Sequence, residues 1–123
     1  MTAAQSHPGA VPGVSVHEAD ERRGDEGGAL LVDVRELNEY EELRVEGAAL
    51  VPVSQFAARF EELPRDRALL MLCRSGARSG RATAFLLQQG FSDVSNVEGG
   101  MIAWKNAGLP TRSGALDPGE GDL

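Results

Sequence analysis

The sequence predicts a three-layer α/β fold: a central parallel sheet of about five strands with helices on both faces. Two observations carry that expectation. Apolar runs such as ALLVDV (29–34) and ALLML (68–72) are continuous rather than alternating, as strands covered on both faces require. Segments of helical character alternate with these runs along the chain, the pattern of a parallel sheet.

Taken in order, residues 14–16 form a short strand and 17–24 a polar helix. Residues 29–34 are a buried strand, and 36–43 an acidic helix. The strand 48–51 is closed by Pro52. Ser54 then caps a helix through residue 63, with Phe56 and Phe60 one turn apart on one face. Pro64 ends that helix, 68–72 is the next strand, and 79–89 is a helix stopped by Gly90. A strand at 93–97 and a helix at 100–107 complete the set.

At 123 residues the chain is expected to form one domain, spanning 14–112. Residues 1–13 are rich in Ala, Pro, Gly and Ser, and 113–123 (SGALDPGEGDL) are Gly-rich and acidic, so both read as disordered tails. The first residues lack the basic and apolar regions of a signal peptide, and the apolar runs are far shorter than the ~20 residues of a membrane span. A cytoplasmic location without membrane contact is the expectation. A net charge of −7 argues against nucleic acid as a partner. Neither His7 nor His17 is placed to act as a base, and no cofactor or metal-ligand cluster is expected.

The single cysteine breaks the acidic trend. In LLMLCRSGARSGRATAFLL (69–87), Cys73 is followed by Arg74, Arg78 and Arg81, with no carboxylate among residues 73–81. The cysteine falls at the carboxyl end of a strand, where open α/β sheets bind ligands. The turn Arg74-Ser75-Gly76-Ala77-Arg78 can curl its N–H groups toward one centre, because Gly76 is free to take positive φ. The next helix points its N-terminus at the same place. An ordinary thiol has a pKa of about 8.5. Bringing it to roughly 6.5 takes about 2.7 kcal/mol, within reach of the helix terminus and charge-assisted amide bonds. The arginines are therefore better explained as holding an anionic substrate. The competing reading is a buried, inert cysteine.

Residues 73–79 (CRSGARS) resemble the active-site loop of the rhodanese family of sulfurtransferases. LLVDVRELNEYE (30–41), GAALVPVSQF (47–56) and VEGGMIAWKNAGLP (97–110) resemble further segments of that family in the same order. The resemblance implies a rhodanese-like fold and a persulfide on Cys73. It departs at one place: Arg44 stands where many members have histidine, and Glu46 where proline is frequent. Arginine follows the cysteine at Cys-x4-Arg. Related phosphatases and arsenate reductases carry Cys-x5-Arg, a loop wide enough for a tetrahedral oxyanion; the shorter ring suits one sulfur atom.

The expected chemistry is transfer of a sulfane sulfur from thiosulfate or a persulfide donor, through Cys73, to an external thiol, cyanide or a protein acceptor. No second cysteine exists to resolve the persulfide internally. Arg74, Ser75, Gly76, Ala77 and Arg78 are the candidate substrate-binding residues. Asp33 and Arg35 join them, either contacting the loop and substrate or forming an ordinary ion pair. Glu98 has a choice between bonding the loop and shaping a turn, and Trp104 reads as core. A non-catalytic binding module and a small phosphatase or arsenate reductase are the alternatives.

Overall fold

In the computed structural model, which describes residues 11–24 and 28–123, five strands alternate with five helices. These are β1 (Gly13–Val14), α1 (Val16–Arg22), β2 (Leu30–Asp33), α2 (Leu37–Glu42), β3 (Ala49–Leu50), α3 (Val53–Arg59), β4 (Leu69–Leu72), α4 (Ala77–Gln88), β5 (Val94–Val97) and α5 (Gly100–Asn106). The strands pair in the order β1-β5-β4-β2-β3, every pair parallel. This is the α/β architecture the apolar runs predict.

Strand geometry divides the core in two, because successive side chains leave opposite faces of a sheet. Leu31, Leu70 and Leu72 pack with Val16, Tyr40, Met101 and Trp104, on the face covered by α1, α2 and α5. Val32, Leu69 and Met71 pack with Phe56 and Leu86, on the face covered by α3 and α4. All four β4 side chains are buried, and at about 1.5–3 kcal/mol for each large apolar group they anchor the central strand. Phe85 on α4 takes Phe56 and Phe60 edge-on, with ring centroids at 6.1 and 4.9 Å.

Element ends shift from the sequence expectation for local reasons. Ser15 accepts a hydrogen bond from the Glu18 amide and caps α1, so β1 stops at Val14. Pro52, not Ser54, is the N-cap of α3. The Ser54 amide and hydroxyl donate instead to the Glu36 carboxylate, at 3.1 and 2.7 Å, tying α3 to α2. Gly76, at φ 102°, turns the chain into α4 two residues earlier than expected.

The tails need a correction. Residues 1–10 lie outside the described residues, and Pro12 already pairs with Asn96. Residues 113–123, expected as a disordered tail, lie against the domain. Arg44 is fully buried, and its guanidinium donates to the Glu120 carboxylate and to the carbonyls of Gly114 and Ala115. A buried guanidinium left without acceptors is costly, so the segment that satisfies it is held. Arg44 and Arg112 also exchange backbone hydrogen bonds of 2.8 Å, and the Gly121 carbonyl accepts from the Leu50 amide on the edge strand β3. The acidic composition of 113–123 therefore marks a partner for Arg44.

Candidate active site

Cys73 sits one residue beyond β4. By strand parity it follows Leu69 and Met71 onto the α3/α4 face, so its sulfur lies toward the start of α4. There the loop closes on it. The Gly76 amide donates to Sγ at 3.1 Å, and Ser79 Oγ lies 3.2 Å away. Cys73 as a whole is 1 % exposed. Burial alone would fit an inert cysteine, but an inert core thiol does not collect an amide donor and a hydroxyl on one side.

The loop carbonyls point the other way, held by the first turn of α5. The Met101 amide donates to Cys73 O at 2.8 Å and the Ile102 amide to Arg74 O at 3.1 Å. Gly100 allows this approach: at φ 58°, a Cβ there would stand 2.4 Å from Cys73 O. With its carbonyls drawn to α5, the loop turns amides onto the sulfur. Those donors set the thiol's acidity. Burial pushes it up, but bonds from the Ser79 hydroxyl and from the amides of Ser79, Gly76 and Ser75 outweigh burial and leave it below its ordinary value.

The expected binding residues part company. Arg74, Ser75 and Ala77 are exposed around the sulfur, and Gly76 makes the turn. Arg74 and Arg81 form no ion pair among the described residues, whereas Arg78 donates to both Glu39 oxygens at 2.8 and 2.9 Å. Asp33 and Arg35 do not reach the sulfur. Their parity aims them at the opposite face from Cys73. Arg35 is clamped to Asp33 through Nε and a terminal nitrogen, and it caps α2 by donating to the carbonyls of Glu39 and Leu43. The ion pair named among their expected arrangements is therefore formed. Arg35 still lines, with Arg74, Glu39, Ile102 and Lys105, a cavity of about 400 Å³ beside the loop. The exposed side chain of Glu98 packs beside Gly13 while its amide bonds Val14, a turn role, and Trp104 is fully buried.

Two residues escaped the sequence reading. Ser79 is fully buried, and its hydroxyl lies 2.6 Å from Asn96 Oδ1. Asn96, on β5, donates through Nδ2 to Gly76 O at 3.1 Å. The polar pair Ser95-Asn96 inside an otherwise apolar strand was the available signal. Among the described residues there is no group of three or more His, Cys, Asp or Glu placed to hold a metal, and no helix long and apolar enough to cross a membrane.

A family model described as Rhodanese-like domain matches residues 15–107. The chain belongs to this family. A curated protein named Sulfurtransferase from Allochromatium vinosum is 42 % identical to this rhodanese-like domain over 90 residues, covering 73 % of this chain and 84 % of that protein. The crystal structure of reduced CoADR-RHD from Bacillus anthracis is similar, with a TM-score of 0.70 and 34 % identity, covering 76 % of this chain. So is the thiosulfate sulfurtransferase from Pseudomonas aeruginosa, with a TM-score of 0.72 and 26 % identity over 86 % of this chain. This rhodanese-like domain spans only 16 % and 21 % of those two longer chains.

Proposed function

We propose that this rhodanese-like domain is a sulfurtransferase that carries a sulfane sulfur on Cys73. The observation that supports it best is the cradle around Sγ: the Gly76 amide and the Ser79 hydroxyl on one side, loop carbonyls drawn off on the other. Such donors favour a sulfur anion, first as thiolate and then as persulfide. The name of the Allochromatium relative agrees, and the Pseudomonas structure suggests thiosulfate as a donor.

Catalysis runs in two nucleophilic steps. The Cys73 thiolate attacks the outer sulfur of thiosulfate. A new sulfur–sulfur bond forms, the old one breaks, and sulfite leaves with the bonding electron pair. The persulfide anion takes the amide hydrogen bonds. An external nucleophile then attacks the outer sulfur and releases the Cys73 thiolate; with cyanide the product is thiocyanate. Arg74 meets the anionic donor, and Arg78 does so only to the extent that Glu39 releases it.

The test is kcat/KM for thiocyanate formation with thiosulfate and with persulfide donors, on the wild type and on Cys73→Ser. Turnover that vanishes with the substitution supports the reading. Turnover retained by Cys73→Ser overturns it, and hydrolysis of a chromogenic phosphate ester in place of sulfur transfer favours a phosphatase.

A further inference from the structure

The contacts behind Cys73 carry an inference about how its proton is controlled. Gly76 O is an acceptor only, so the Asn96 side-chain nitrogen must face it and Oδ1 must face Ser79. Two oxygens at 2.6 Å need a hydrogen between them, and Oδ1 has none. The Ser79 hydroxyl hydrogen therefore lies on the Asn96 side, and its lone pairs face Sγ 3.2 Å away. Gly80 packs against this amide: a Cβ there would stand 3.4 Å from Nδ2, at van der Waals contact. Thr83 bonds the Ser79 carbonyl and does not compete for the hydroxyl.

We propose that Asn96 is a positioning residue that holds the Ser79 hydroxyl hydrogen away from Cys73 until the sulfur ionises. The proposal rests on the reading of Cys73 as the nucleophile. In the thiol, S–H donates to Ser79 Oγ and Ser79 donates to Asn96. On ionisation the thiol proton leaves to solvent, and the Ser79 hydroxyl turns its hydrogen onto the thiolate and abandons Asn96. When Cys73 becomes a persulfide, the charge moves to the outer sulfur and the hydrogen returns to Asn96. Serine thus stabilises the attacking thiolate, and asparagine opposes its formation in the resting protein.

The charged groups on the elements packed about the loop are Arg74 on the loop, Arg78 and Arg81 on α4, Glu39 on α2, the Asp33–Arg35 pair at the end of β2, and Lys105 on α5. Titration of the thiolate ultraviolet absorbance in the full chain, without any donor, tests the proposal. Asn96→Leu is expected to lower the midpoint by about 0.5–1 pH unit, a three- to tenfold gain in thiolate below the midpoint. Ser79→Ala is expected to raise it, and the double variant to titrate like Ser79→Ala alone. A purely structural asparagine gives a different result, since loosening the Gly76 amide would raise the midpoint in both backgrounds. A wild-type or raised midpoint for Asn96→Leu, or an equal fall in the Ser79→Ala background, overturns the proposal. Should circular dichroism show Asn96→Leu unfolded, Asn96→Ala carries the same expectations. No sulfur donor enters the titration, so its result stands apart from any failure of thiosulfate turnover.

Discussion

Arg78 and Glu39, 39 positions apart in sequence, form a two-pronged ion pair that ties the first turn of α4 to α2. Glu39 also accepts from the Glu36 amide, and Glu36 accepts from Ser54 at the start of α3. One carboxylate network thus joins the N-termini of three helices at the sheet edge where Cys73 lies. The arginine nearest the loop's end is a structural tether, which leaves Arg74 as the loop cation without an ion pair among the described residues.

Substitution separates these roles. Arg74→Ala is expected to raise KM for thiosulfate about three- to tenfold with little change in kcat, as loss of a charge-assisted contact made equally in ground and transition states would. Glu39→Gln frees Arg78 and is expected to lower KM. Steady-state kinetics on both variants checks this; an unchanged KM in Arg74→Ala contradicts the assignment.

The same pair makes stability depend on pH. The Arg78 guanidinium, with help from the Glu36 amide and against partial burial, lowers the Glu39 carboxyl from 4.5 to about 2. A carboxyl depressed in the folded state stabilises the fold above its unfolded value, and that contribution is lost as pH falls from 4.5 toward 2. Allowing for solvent screening, it amounts to about 1–2 kcal/mol. Urea unfolding at neutral pH and at pH near 3 should show a smaller loss in Glu39→Gln than in the wild type.

The C-terminal segment behaves as part of the domain. Truncation after Arg112 leaves the buried Arg44 guanidinium without Glu120, Gly114 and Ala115. The thermal midpoint is expected to fall by at least about 4 °C. Arg44→His in the truncated chain is expected to recover part of that loss, since a neutral imidazole needs fewer acceptors.

Gly100 is the hinge of the loop's orientation. Gly100→Ala drives a Cβ into the carbonyls of Cys73 and Arg74 at positive φ. A cost of at least about 2 kcal/mol is expected in chemical unfolding, along with a higher thiol midpoint as the amides turn from the sulfur. A wild-type midpoint in this variant would detach α5 from the chemistry.

What the sequence made legible follows from the range of each signal. Continuous apolar runs and the glycine after Cys73 act locally, so the strands, the sheet class and the turn into α4 could be read directly. For Asp33 and Arg35 the sequence shows the end of their strand but not which face they take. Their parity relative to Cys73 depends on the β2–β4 register, in which Asp33 lies opposite Leu72. Ser79 and Asn96 meet only through the packing of α4 on β5, 17 residues apart, and no spacing rule announces that contact. Residues 113–123 looked disordered by composition because the feature that holds them, a buried Arg44, becomes evident only once the core is assembled.

Intact-mass measurement after incubation with thiosulfate tests the central claim most directly. The wild type should gain one sulfur atom and lose it again on addition of cyanide, while Cys73→Ser gains nothing. A wild type whose mass stays unchanged, or a serine variant that takes up the same sulfur, would contradict the account.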